Sequence, residues 1–484
     1  MDAGRLKLGL SMLDSAAIVA GSMIGSGIFI VSADITRRTG SPAGLLLVWI
    51  ASGLMTIAGA LTYGELAAMM PRAGGQYVFL REAYGEAIAF AFGWTLLLVI
   101  QTGTIAAVAV AFARFGGALW PGIRSQVFWG YGEFGLSGER LGAITVIALL
   151  TLVNLRGLQL GKLVQNTFTS TKVLSLILIV IVGCVLAPNP VAVQINFANG
   201  AAFFGDRSLS IGGMMVFGGA MVGALFASDA WASVTFAAAE VRDPGRNLPR
   251  ALAIGTGVVI VLYVLTNIGY LCELPALSQP GALEGRGSGL FARGIAGAAG
   301  DRVASAAMSA VWGNAGATLT ALLVMVSTFG CANGLILTGA RVIYAMAQDR
   351  LFFAAAGRLN TAAVPAVALL LQGGWASLLT VSGTYSELLD YVIFAQMLFY
   401  VLTVGAVFIL RRRLPHAARP YRAWGYPLVP AAYILAAGAL MIDLLLMRPR
   451  YTWPGLLIAL SAIPVYAWTV RRRDRTASVR RSTP

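Results

Sequence analysis

The feature that most limits how this chain can fold is the recurrence of long apolar runs. Runs of roughly 20 residues, enough to cross a bilayer, occur about twelve times, near 12–36, 42–70, 86–115, 140–157, 163–187, 211–240, 250–272, 304–346, 364–383, 387–410, 427–446 and 452–470. Hydrocarbon offers no partner to a free N–H or C=O, so such runs must satisfy their backbones as helices. The expected fold class is an all-α polytopic membrane protein with 12 transmembrane helices. A mean hydropathy of +0.78, with 58% hydrophobic and 11% charged residues, excludes a soluble globular domain. The 304–346 run is too long for one perpendicular span, so its helix is expected to overshoot the membrane or tilt.

A net charge of +15 suggests nucleic acid at first sight, but the basic residues sit in connections between apolar runs, where they act as topology signals. With a cytoplasmic N-terminus, 23 of the 35 Lys and Arg fall on the inner side, 11 on the outer side, and Lys172 on neither. Both termini are therefore expected to be cytoplasmic, in an integral, multi-pass protein of the plasma (inner) membrane. No nucleic-acid partner is expected. The Arg411-Arg412-Arg413 run and the Arg471-Arg472-Arg473 tail read as membrane-surface anchors. Residues 1–11 form a short arm before the first span.

Two spans are interrupted. The first carries Gly21-Ser22-Met23-Ile24-Gly25-Ser26-Gly27-Ile28-Phe29, three glycines and two serines where a helix should run unbroken. The sixth carries Gly212-Gly213, Gly218-Gly219 and Gly223 before Phe226-Ala227-Ser228-Asp229-Ala230-Trp231, which puts a carboxylate in mid-span. An intramembrane carboxylate needs water, a cation or helix-end donors. Interrupted helices at matching positions of two halves point to an inverted-repeat transporter with a midplane site. The expected organisation is 12–187 as a first five-helix repeat, 211–410 as a second, 427–470 as two additional helices and 471–484 as a basic cytoplasmic tail.

Lys172 is the second anomaly. From Leu163 it lies about 14 Å into the fifth helix, and a lysine chain reaches only about 6 Å, so it cannot snorkel to water. Its ammonium must be surrounded by carbonyls, hydroxyls or a carboxylate, or lose its proton. The eighth span adds a small and polar face, Ser327-Thr328-Phe329-Gly330-Cys331-Ala332-Asn333-Gly334. Glu65, near the end of the second span, is expected solvated or paired at the cytoplasmic mouth, and Tyr77 to Tyr84 at the interface with Arg81 and Glu82 among headgroups. Leu290-Phe291-Ala292-Arg293 suits a short helix over the outer face. The three cysteines, Cys184, Cys272 and Cys331, imply no disulfide framework.

Four stretches together resemble the amino acid–polyamine–organocation superfamily, and within it the L-type amino acid transporter branch. They are Ile24-Gly25-Ser26-Gly27-Ile28-Phe29, Val164-Gln165-Asn166 through Lys172, Phe226 to Trp231 with Arg246-Asn247-Leu248-Pro249-Arg250-Ala251, and Phe329 to Gly334. The resemblance implies a leucine-transporter-like fold, with helices 1–5 and 6–10 as inverted repeats plus two more. It implies an amino-acid site between the broken helices. The amides of Ser26, Gly27 and Ile28 would take the substrate carboxylate. Carbonyls at Met23, Ile24, Phe226, Ala227 and Asp229 would take its ammonium, and Gly25 belongs to the same loop. Phe226 looks like the family's gate.

Lys172 matches the position where sodium-independent members replace a sodium ion by an ammonium. Its implied partners are a carbonyl near Gly21 and a hydroxyl at Ser327 or Thr328. The expected function is Na⁺-independent transport of L-amino acids, neutral ones first, by exchange or, if Lys172 titrates, by proton symport. No metal and no cofactor is expected. Where relatives have Gly-Trp-Asn, this chain has Ala230-Trp231-Ala232. Gly116–Glu139 lacks the cysteine that bonds a heavy chain in animal members, so no disulfide-linked partner is expected. An antiporter of basic amino acids or polyamines is the alternative, resting on Asp229. An enzyme is disfavoured because the one histidine, His416, lies in an Arg-rich loop without metal-ligand spacing around it. A channel is disfavoured because broken helices suit a closed midplane site.

Overall fold

The structure, a computed structural model, describes residues 8–120, 122–123, 126–131, 134–198, 200–205, 211–278, 293–382, 385–447 and 449–482. Residues 290–292 of the expected outer helix and most of the arm lie outside that set. Among the described residues, ten helices are long and apolar enough to cross a membrane, and two shorter apolar helices, Gly212–Ala227 and Ala366–Val381, fall on the sixth and ninth apolar runs.

The first run is divided. Helix α1 (Met12–Met23) opens with a capping box in which Ser11 and Asp14 satisfy each other's backbone amides. Ile24 leaves helical geometry at φ −74°, ψ 88°. Helix α2 (Gly27–Ile30) restarts the chain and α3 (Ser32–Thr39) continues it to a left-handed Gly40. Helix α4 (Pro42–Met69) starts on the Ser41 cap with proline in its first turn, and α5 (Gln76–Tyr84) is a short, largely buried helix. Then come α6 (Glu86–Leu119), α7 (Gly138–Leu155), α8 (Leu158–Leu186) and the short α9 (Pro190–Phe197) and α10 (Gly200–Phe204).

The sixth run divides as the first does. Helix α11 (Ile211–Ala227) stops, residues 228–232 turn, and α12 (Ser233–Phe236) restarts. Helices α13 (Pro244–Glu273), α14 (Val303–Gln348), α15 (Ala366–Ser382), α16 (Tyr385–Arg413), α17 (Leu428–Met447) and α18 (Pro449–Ser482) follow. Helix α13 packs along α4, with Tyr263 edge-on to Trp49 at 5.2 Å, while α14 packs against α6 and α8. Helix α1 is enclosed by α8, α13 and α14.

Three expectations are corrected, and the 304–346 run gains a detail: α14 is kinked at Gly313 (φ 58°, ψ −139°) into a short first part and a long second one. The chain is not purely helical, since Val127–Tyr131 pairs antiparallel with Phe134–Ser137 in the connection after α6. Valine and aromatic residues there favour strand. Helix α5 is packed into protein, with Tyr77 fully buried and its hydroxyl 2.8 Å from Asp349, which also pairs with Arg81 at 2.6 Å. Finally, Arg411 is an internal staple and not a surface anchor, while Arg412 and Arg413 are exposed. Arg411 forks onto buried Glu65 (2.9 and 2.6 Å) and stacks on Tyr426, and Arg413 donates to the Ala83 carbonyl. Glu65 is thus paired, one of the two states expected of it, and also accepts the Ala423 amide at 2.7 Å.

At the end of the bundle that carries residue 8, the chain leading into α1 is tied to the chain leaving α12. The amides of Gly9 and Leu10 both donate to the Glu240 carbonyl (2.9 and 3.0 Å), and the Arg242 amide returns to the Leu10 carbonyl at 2.9 Å. Glu240 itself forks onto Arg341 of α14, both side chains being almost wholly buried.

Candidate functional site

Where α1 stops at Met23, its last carbonyls lose their helical partners and must find others. Lys172, in the middle of α8 and fully buried, supplies them. Its ammonium donates to the Gly21 carbonyl at 2.6 Å and the Ile24 carbonyl at 2.9 Å. From α14, Ser327 donates to the carbonyls of Ile24 and Gly25 (3.1 and 3.2 Å), and the Cys331 thiol donates to Ser22 at 3.0 Å. Lys172 and Ser327 therefore meet at one carbonyl and not at each other. Thr328 bonds within its own helix, to Val324 and Met325.

The two breaks touch. A Cβ on Gly27 would lie 2.7 Å from the Ala227 Cα, closer than real Cβ atoms approach, so only glycine lets α2 sit on the end of α11. Tyr263 of α13 reaches between them, its hydroxyl 3.0 Å from both the Met23 and the Ala227 carbonyls. The Phe226 carbonyl accepts the Asp229 amide at 3.0 Å. Thus Met23, Ile24, Phe226 and Ala227 each already hold an internal donor. Because α2 begins at Gly27, the amides of Gly27 and Ile28 start a helix with no preceding turn to bond to. Ser26 and Phe226 are buried beside them.

Asp229 is buried, and its carboxylate accepts the Tyr400 hydroxyl of α16 at 2.7 Å and the Ala230 amide. Two cavities of about 20 and 10 Å³ flank it, sharing Asp229, Gln396 and Tyr400 as walls. Each has space for about one water, so neither admits an amino acid. A much larger cleft, about 880 Å³, opens between α4, α11 and α17 and is lined by Leu47, Ile50, Leu54 and Met214. It touches neither break and is almost wholly apolar, so it is not the candidate site.

A polar chain supports the break from α8. Gln165 accepts Asn333 of α14 at 3.2 Å, Asn333 accepts Asn154 of α7 at 2.9 Å, and Thr169 donates to the Ala17 carbonyl at 3.1 Å. Tyr263, Tyr400, Asn154 and the Glu240–Arg341 pair escaped the sequence reading. Each was a single polar residue in or beside an apolar run, visible as an oddity, but its partner came from a distant segment. Among the described residues, no group of three or more His, Cys, Asp or Glu could hold a metal.

Apolar helices of spanning length, two of them broken where polar backbone is met from neighbouring helices, define an integral multi-pass membrane protein of the transporter class. The chain belongs to the amino acid permease family, whose pattern it matches over residues 10–464. It is 30% identical to the b(0,+)-type amino acid transporter 1 of Mus musculus over 92% of this chain and 84% of that protein. It is 28% identical to the Serine/threonine exchanger SteT of Bacillus subtilis (strain 168) over 97% of this chain and 98% of that one. It is 29% identical to the Large neutral amino acids transporter small subunit 2 of Mus musculus, over 95% of this chain and 81% of the relative. All three relatives are transporters of amino acids.

Proposed function

We propose that this protein carries neutral L-amino acids across the plasma membrane by alternating access, without sodium. The observation that carries the reading is the Lys172 ammonium, 2.6 and 2.9 Å from the Gly21 and Ile24 carbonyls, where it supplies the positive charge a bound cation would otherwise bring. In this reading the twelve apolar helices are twelve spans. Residues 12–187 and 211–410 form inverted repeats of a leucine-transporter-like fold, with 427–470 added. The end carrying residue 8 faces the cytoplasm, as the excess of Lys and Arg there favours.

The substrate carboxylate meets the Gly27 and Ile28 amides at the start of α2, with Gly25 and Ser26 giving the loop its room. The substrate ammonium meets carbonyls of the two breaks, exchanging with the donors they now hold, and Phe226 closes over it. The internal donors to Asp229 favour a neutral side chain over a cationic one, since the carboxylate already has Tyr400 and the Ala230 amide. The absence of cysteine from residues 116–139 supports a transporter that acts without a disulfide-linked partner.

The test is uptake of labelled neutral amino acids into proteoliposomes free of sodium, with and without internal amino acid and with and without an inward proton gradient. Stimulation by internal substrate marks an exchanger, and stimulation of empty vesicles by the gradient marks a proton symporter. Uptake that requires sodium would overturn the reading, and uptake of only basic amino acids or polyamines would replace the neutral substrate.

A further inference from the structure

Two of the three cysteines, far apart in sequence, meet in the fold. Cys184 lies at the end of α8 and Cys272 at the end of α13, each half-buried, while Cys331 is buried elsewhere beside Lys172. The two helices touch through backbone at this level. A Cβ on Gly183 would lie 2.8 Å from the Gly269 carbonyl oxygen, and a Cβ on Gly269 would lie 3.9 Å from the Cys184 sulfur. Cys272 is one helical turn on from Gly269 and shares its face. Cys272 is thereby placed on the side of α13 that meets Cys184.

The frame around them is fixed. The Asn189 amide donates to the Cys272 carbonyl at 2.9 Å, so the chain leaving α8 folds back onto the end of α13. From α9, the Asn196 side chain donates to the carbonyls of Leu271 and Leu274 (2.7 and 2.9 Å) and accepts the Ala276 amide at 3.0 Å. A thiol pair held this way has little freedom to separate.

We infer that Cys184 and Cys272 form a modification site, a dithiol that closes to a disulfide by exchange with a small disulfide oxidant. One thiolate attacks a sulfur of the oxidant, expelling one small thiol and leaving a mixed disulfide. The second thiol displaces the other half, forming the Cys184–Cys272 bond and releasing the second small thiol. The oxidant gains two electrons, the protein loses two, and both cysteine protons leave on the small thiols. The bond joins the helix that carries Lys172 to the helix that carries Tyr263, the two residues that hold the end of α1.

The purified full-length protein, in detergent so that both ends are open, is treated with oxidised glutathione, digested without reductant and read by peptide mass. The expected product is a Cys184–Cys272 linked peptide pair that dithiothreitol separates, with Cys331 still free. Cys184→Ser and Cys272→Ser each give no such pair, and uptake by either variant shows that it has folded. Three free thiols after treatment, or glutathione adducts that persist without the internal link in the wild type, overturn the inference.

Discussion

The Tyr400 hydroxyl stands 2.7 Å from the Asp229 carboxylate, linking α16 to the break after α11 with both residues buried. The Tyr400 ring also stacks on Trp231 at 5.0 Å and meets Tyr63 edge-on at 5.8 Å. Tyr400→Phe keeps both ring contacts and removes only the donor. A lost hydrogen bond to a charged group costs about 1.5–3 kcal/mol, and uptake KM is expected to rise at least about tenfold, with each 1.4 kcal/mol worth a factor of ten. An unchanged KM would show that the pair plays no part in recognition.

Lys172→Met leaves the Gly21 carbonyl with no side-chain donor in place of the ammonium, while Ile24 keeps Ser327. An unsatisfied buried acceptor costs about 1–3 kcal/mol. Sodium-free uptake should fall by more than about tenfold while the protein still elutes as a single folded species. Wild-type rates in the variant would remove Lys172 from the mechanism.

Tyr263→Phe tests the bridge between the breaks. It retains the Trp49 contact and deletes the hydroxyl shared by the Met23 and Ala227 carbonyls. The expected loss is about 1 kcal/mol, read as a roughly fivefold fall in kcat/KM.

Gly27→Ala sets a methyl against Ala227. Overpacking of this kind costs about 1–3 kcal/mol, and uptake should drop steeply. Adding Ala227→Gly removes the facing Cβ but leaves the Ala227 Cα 2.7 Å from the new methyl, so it should recover only a small part of the activity. Wild-type uptake by Gly27→Ala alone would show that the close approach of α2 to α11 is not required.

Arg341→Ala strands buried Glu240, which is expected to cost about 3–5 kcal/mol. The measurement is the melting temperature in detergent, which should fall by several degrees, and more than for Arg72→Ala, whose pair with Glu82 is solvent-facing.

How much of this was legible in the sequence depended on whether a feature was local. Apolar length placed the helices, since the ten long ones and the two short ones all fall on the twelve apolar runs. Glycine and serine spacing marked Gly21–Phe29 as an interruption, within which α1 ends at Met23, and the glycines before Phe226 marked the second, where α11 ends at Ala227. Lys172 stood out because its depth follows from counting residues along one helix. What stayed hidden was pairing across distance. Nothing in the Arg411–Arg413 run names Glu65 as its acceptor, and nothing near residue 263 names two carbonyls in separate breaks. The Gly313 kink was hidden too, because α14 is apolar on both sides of it and glycine alone does not specify a bend. The hairpin after α6 was hidden as well, because the pairing of Val127–Tyr131 with Phe134–Ser137 leaves no mark in apolar run length.

The bonds among Gly9, Leu10, Glu240 and Arg242 have a mechanical consequence. They yoke the lead-in of α1 to the exit of α12, so a force that bends one half-helix is passed to the other through a few ångströms of shared ladder. At that end the two broken helices then behave as a single lever with one fulcrum, and a load hung just ahead of Gly9 pulls on both at once.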